Sequence, residues 1–158
     1  MKKFVSLILF LLFLFSSAFA ESWRIFDNAN LFSKDEIEEL ENKILSFQKD
    51  TNIDFVVLTT DDYLGLNNQQ FIAETFYDSG SFGFGRSASG LIYYIDMNQH
   101  YHYVSTSGKM ISLFENYTHS SLEDCALYMK TGEYKESVSK MLDWAMKAIH
   151  EAQTTVKP

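Results

Sequence analysis

Residues 90–106, GLIYYIDMNQHYHYVST, read as two strands and the turn between them. Gly90 to Asp96 is an apolar run rich in aromatic and β-branched residues, the pattern of a strand covered on both faces. Met97-Asn98-Gln99 makes a tight turn. The return from His100 to Thr106 separates apolar from polar residues less cleanly, as an edge strand does. A tight turn joins only antiparallel neighbours. Upstream, Ile53 to Thr60 (IDFVVLTT) is a second short buried run. Between the two buried runs lies a helical segment that Asn68 can cap, reaching about Tyr77. A strand–helix–strand unit takes a right-handed parallel crossover. Strands 53–60 and 90–96 are therefore expected to be parallel, and 100–106 antiparallel to its predecessor.

The flanking segments are helical. Ser33-Lys34-Asp35-Glu36 is a capping box, in which a hydroxyl accepts from a free helix N–H and Glu reaches back. Ile37, Leu40, Ile44 and Phe47 follow on one face, while Glu36, Glu38 and Glu39 sit where the helix dipole favours acids. Ser120-Ser121-Leu122-Glu123 reads as a second capping box, for a helix to about Lys130 that Gly132 stops. The last helix aligns Tyr134, Val138, Met141, Leu142, Ala145 and Ile149 in one stripe. The order is helix, strand, helix, strand, strand, helix, helix. That is an α/β fold whose small mixed sheet, two parallel strands plus an antiparallel hairpin strand, is sandwiched between helices.

Residues 1–20 have the form of a signal peptide: Lys2 and Lys3, an apolar stretch from Phe4 to Phe15, then Ala18-Phe19-Ala20 before a cleavage point at Glu21. The apolar run is short for a membrane span, and no Cys follows it to carry a lipid. Export is expected, to the periplasm or outside the cell, with residues 21–158 forming one domain that has no transmembrane segment. Cleavage removes two lysines and no acid, so the formal charge moves from −8 to −10. Such an acidic chain repels nucleic acid and anionic lipid. Cys125 is the sole cysteine and lies at an apolar spacing with Leu122, Ala126 and Met129, which reads as a small buried hydrophobe. Asn116-Tyr117-Thr118 is a formal glycosylation sequon.

Gly83-Phe84-Gly85-Arg86-Ser87-Ala88 matches the dinucleotide fingerprint in letters only. That loop works by leading a strand into a helix N-terminus, whose free N–H groups hold the pyrophosphate. Here it leads from a helix into a strand. Gly108-Lys109 is followed by Met110, which breaks a P-loop. No nucleotide cofactor is expected. His100 and His102 share one strand face, yet a closed zinc site needs four ligands, so both read as exposed edge-strand residues.

Four stretches, RIFDNANLFSKDEIEELENKI, IDFVVLTTDD, FYDSGSFGFGRSASGLIYYIDMNQHYHYVSTSG and TGEYKESVSKMLDWA, together resemble the TPM-domain family, in that family's order and over nearly all of residues 21–158. The resemblance implies an α/β sandwich in exported or membrane-tethered proteins. It also implies several activities: one plant thylakoid branch is associated with acid phosphatase activity and photosystem repair, some members bind calcium, and an animal branch assists a receptor. Many bacterial members carry a transmembrane segment and a Gly-rich tail after the domain. This chain resembles a free secreted version. It departs from the family where chemistry is expected, having Ala88-Ser89-Gly90 in place of Asp-Asn-Gly and His100 in place of Arg. The family's downstream Thr-Asp pair falls near Phe114-Glu115.

Two rims of the expected sheet collect candidate residues. Beyond the carboxyl ends of the parallel strands lie Asp61, Asp62 and Asp96, with Asp27 returning to the same rim ahead of the first helix. Four convergent carboxylates would suit a hard cation, calcium or magnesium. The opposite rim offers Gly83, Gly85, Arg86, Ser89, Thr106, Ser107 and Glu115 for a small polar ligand, and His100, at the start of the third strand, is a further candidate. The expected function is a non-catalytic exported module acting through a protein partner, with weak calcium binding. The alternative is a divalent-metal-dependent acid phosphatase.

Overall fold

In the computed structural model, which describes residues 23–62 and 68–155, Ser33 accepts from the Glu36 N–H and Glu36 returns its carboxylate to the Ser33 N–H. This capping box opens α1, Lys34–Thr51. Asn52 closes the helix in the left-handed conformation that a short amide side chain tolerates. Ser33→Ala is expected to cost about 1 kcal/mol in a urea melt, with Ser33→Gly costing only a few tenths. Residues 1–20, read as a signal peptide, lie outside the described residues.

The sheet has four strands in the order β1-β2-β3-β4. They are β1 (Ile25–Asp27), β2 (Asp54–Thr60), β3 (Gly90–Asp96) and β4 (Tyr101–Ser107). β2 and β3 pair in parallel from Asp54↔Gly90 to Thr60↔Asp96. β3 and β4 pair antiparallel from Gly90↔Ser107 to Asp96↔Tyr101, as the turn requires. β1 adds a third parallel strand that periodicity did not reveal; three residues are too few to show a period. His100 takes φ +50° in the hairpin turn, so β4 starts one residue later than expected.

Asn68 caps α2, Gln69–Ser79, through its side chain on the Phe71 N–H. After β4 come α3 (Met110–Phe114), a 3-10 turn (Glu115–Tyr117), α4 (Thr118–Lys130) and α5 (Tyr134–Thr155). The capping box expected at Ser120–Glu123 does not form. The chain is already helical at Phe114 to Thr118, so α4 starts ahead of Ser120, and the Ser121 hydroxyl donates to the Thr118 carbonyl. Gly132 does end α4, at φ +79°. Its N–H bonds the Met129 carbonyl and that of Glu133 bonds Tyr128, a Schellman closure.

The sheet separates two cores. Ile25, Phe55, Val57, Leu91, Tyr93 and Ile95 face α1 and α5, meeting Leu40, Ile44, Phe47, Val138 and Met141. Val56, Leu58, Ile92 and Tyr94 face Ala73 and Tyr77 of α2. Because β1, β2 and β3 are parallel and consecutive, two right-handed crossovers would place α1 and α2 on one face. They occupy opposite faces, so one crossover is left-handed, against a strong general rule.

Candidate functional site

At the amino end of β2, Asp54 is fully buried and its carboxylate accepts four hydrogen bonds. Oδ1 takes Arg24 Nε at 2.6 Å, Gln48 Nε2 at 2.8 Å and the Phe55 N–H at 2.9 Å; Oδ2 takes the Gly83 N–H at 2.7 Å. Arg24 precedes β1, Gln48 ends α1 and Gly83 lies in the loop after α2, so one carboxylate ties these elements to β2. Gly83 sits at φ +96°, where a Cβ would strike the Ala88 backbone. Ser89 is buried beside it: its carbonyl accepts from Asp54 and Phe84, and its Oγ accepts from the Lys109 N–H. Gly83 and Ser89 are thus backbone-organising residues, while Gly85 and Arg86 are exposed at the loop tip.

Two clefts flank α2. One, of about 210 Å³, is lined by Glu74, Tyr77 and Asp78 from α2, by Ile92, by Ser105, Thr106 and Ser107 of β4, and by Ile111. The other, of about 670 Å³, lies beside β1 and is walled by Trp23, Phe26, Phe76 and Phe82. Its rings interlock: Phe26 meets Phe76 edge-on at 4.9 Å, and Phe76 stacks on Phe82 at 5.8 Å. The Arg24 guanidinium lies 5.3 Å from the Phe82 centroid, and Trp23 is 59% exposed.

The carboxyl rim does not bring Asp27, Asp61, Asp62 and Asp96 to one side. Asp27 accepts from the Thr59 hydroxyl and from the Leu31 and Phe32 N–H groups, on the face of α1. Asp96 pairs with Thr60, one residue further along β2, and so faces the other way, where it accepts from Tyr94 Oη and the Gln99 N–H. Asp61 and Asp62 are exposed. Among the described residues no three His, Cys, Asp or Glu side chains gather as metal ligands. Of the opposite set, Thr106 and Ser107 line the smaller cleft, His100 lies at the far end of β4, and Glu115 is exposed in the 3-10 turn.

His102 is not the exposed edge residue expected. It is half-buried, with Nδ1 2.8 Å from Tyr93 Oη, which lies 2.9 Å from Ser137 Oγ in the core. Burial lowers its pKa. The folded state therefore favours neutral imidazole, and the unfolded chain binds more protons below its pKa of about 6.5. This contribution is present above that pH and is lost as pH falls. The urea midpoint should drop between pH 7 and pH 5, and His102→Gln should flatten that drop. Cys125 is buried as expected, its thiol pushed up to about 12 by burial.

Asp54, Arg24, Glu74, Tyr77 and Asp78 were not singled out from sequence. A signal existed at Asp54, since an acid inside the buried run IDFVVLTT must find donors.

A family model described as the TPM domain matches residues 25–148. Among solved structures, the N-terminal domain of a P. gingivalis protein is similar at TM-score 0.69 and 17% identity, covering 84% of this chain and 86% of that one. The BA42 protein of the psychrophilic bacterium Bizionia argentinensis is similar at TM-score 0.60 and 11% identity, covering 76% and 82%. The N-terminal domain of the Corynebacterium glutamicum cg2496 protein is similar at TM-score 0.54 and 11% identity, covering 90% and 88%. At these identities the likeness is one of fold. Among curated proteins nothing matches.

Proposed function

The chain belongs to the TPM-domain family, and from that premise we propose that it is an exported module, periplasmic or secreted, that acts through a protein partner and not by turnover. The observation that carries this reading is the aromatic groove beside β1. Trp23 stands 59% exposed next to Phe26, Phe76 and Phe82, with an arginine over one ring. Large, rigid aromatic surface combined with arginine is the composition that dominates protein–protein binding energy. Export rests on the Lys2-Lys3, apolar and Ala18-Phe19-Ala20 pattern. No helix among the described residues is long and apolar enough to cross a membrane.

A photo-crosslinking amino acid in place of Ser79, which lines the groove, tests the reading in the native exported fraction. One discrete adduct is expected, and Phe76→Ala or Phe82→Ala should remove it, with a loss of about 2 kcal/mol in affinity for a ring of this kind. An adduct that survives both substitutions, or none at all, contradicts the groove as the contact surface.

The alternative, a divalent-metal-dependent acid phosphatase, draws on the family resemblance, while the geometry gives its four rim carboxylates no common face. The module reading assigns no step to calcium or magnesium. A calcium-dependent rise in melting temperature that Asp61→Asn abolished would restore the cation reading of that rim.

A further inference from the structure

On the face of the sheet away from both clefts, four elements meet at one buried hydroxyl. Tyr93 Oη of β3 lies 2.8 Å from His102 Nδ1 of β4, 2.9 Å from Ser137 Oγ of α5 and 3.5 Å from Met129 Sδ of α4. These contacts fix where the protons sit. Ser137 Oγ donates to the Cys125 carbonyl at 3.2 Å, because a carbonyl only accepts. A hydroxyl has one proton, so at the 2.9 Å contact Ser137 accepts and Tyr93 donates. Tyr93 then has no proton left for the imidazole, and at the 2.8 Å contact His102 Nδ1 is the donor. The neutral ring is therefore the Nδ1–H tautomer, with its lone pair on Nε2. Nε2 has no protein partner among the described residues and is not one of the buried unpartnered atoms, so it reaches solvent.

The ring is half-buried, and burial alone holds its pKa below the ordinary value. A second proton goes to Nε2 and leaves the Nδ1 bond in place, so the hydrogen-bond chain need not reverse. What it adds is a charge in the seam between β4 and α4. Burial raises the Tyr93 hydroxyl well above its usual value and pushes the Cys125 thiol up to about 12, so neither ionises between pH 5 and pH 7. Asp124 of α4 and Lys140 of α5 act on Cys125 and pair with each other at 3.6 Å. α3 has no titratable residue, and Tyr103 and Glu74 lie on the other face of the sheet. The cover of the seam is lightly held: α4 buries only Ser121 and Cys125, with Leu122 and Met129 half-buried, whereas α5 buries seven residues. α4 ends at Gly132, whose left-handed φ of +79° has open space around it and suits a hinge.

We propose that the seam between β4 and the last turns of α4 is an acid-sensitive latch. With His102 neutral, α4 lies closed over Tyr93, Ser137 and Cys125. With a proton on Nε2, residues 125–130 swing away from β4 about Gly132 and the cation gains water, while the sheet stays folded. The closed state favours the neutral ring, so opening is rare above the ordinary histidine pKa of about 6.5. Below it, opening becomes commoner by up to about tenfold per pH unit, one proton being taken up each time. The latch lies across the sheet from the aromatic groove, so the failure of one does not decide the other.

Amide hydrogen exchange of the purified protein between pH 7 and pH 5, normalised to the intrinsic rate at each pH, tests it. Protection at residues 125–130 should lie about tenfold or more below that of Val56, Val57 and Ile92, which open only with the whole domain. It should fall with pH by up to about tenfold per unit and change little in low urea, as a local opening does. His102→Gln should remove the pH response. In the parent protein, long-range ¹H–¹⁵N correlations of the His102 ring should place the neutral-state proton on Nδ1. Protection at 125–130 that ignores pH, or that matches the strands at both pH values, overturns the proposal. So does a pH response that survives His102→Gln, or a ring with its proton on Nε2.

Discussion

Asp54→Ala is expected to lower the stability of the fold by about 3–5 kcal/mol, the range for removing one partner of a buried ion pair. Asp54 is the acceptor for Arg24, Gln48 and the Phe55 and Gly83 N–H groups, and its side chain is fully buried beside an Arg24 side chain that is 11% exposed. Alanine would take the Asp54 charge away from a guanidinium that is largely out of water, and leave two main-chain donors without this acceptor. Each of those donors carries its own desolvation cost. A domain of this size has about 5–15 kcal/mol in total, so the variant should lose a large share of its stability. Asp54→Asn should cost less, because one oxygen still accepts while the amide nitrogen opposes donors. Urea denaturation of the three proteins measures this. A loss below about 1 kcal/mol for alanine would place the pair with exposed salt bridges and remove its role in fastening β1, α1 and the 80–89 loop to β2.

Gly90→Ala should be the second severe change, costing about 1–3 kcal/mol or more through overpacking. The cost is one of space, since Gly90 is not among the positive-φ glycines. A Cβ there would fall on the Tyr77 hydroxyl and come within 2.9 Å of Asp54 Cβ and the Asp54 carbonyl oxygen. Tyr77→Phe removes the first obstacle and not the second, so the double variant should recover part of the loss. A coupling energy of about 0.5–3 kcal/mol is expected from the cycle. Strict additivity in thermal or urea melts would mean that the hydroxyl does not lie over Gly90.

The sheet centre was legible because its residues carry their own period. GLIYYID and the return strand specify a hairpin, and the capped segments at Ser33 and Asn68 start helices where they should. β1 escaped notice because IFD is too short to show alternation. The Ser120 box misled because a hydroxyl followed by an acid caps a helix only when the preceding turn is not already helical, and that depends on α3. The four-carboxylate rim divides between two faces of the sheet for a related reason. Asp27 and Asp96 end their strands and Asp61 and Asp62 follow one, but Asp27 aligns with Thr59 and Asp96 with Thr60, and an offset of one residue reverses the face. Register of that kind is set by pairing across the sheet, which one strand read alone does not specify. The clefts beside α2 combine residues from three or more segments, and only Thr106 and Ser107 of the smaller one carried a local signal.

The central proposal, that this TPM-family chain works by binding and not by turnover, meets its most direct test in the hydrolysis of a generic phosphate ester from pH 4 to pH 8, with calcium, with magnesium and with EDTA. The account predicts rates no higher than the buffer blank in all three conditions. Turnover of about 1 per second or faster, the ordinary enzyme range, that depends on a divalent cation and disappears in Asp61→Asn would contradict it.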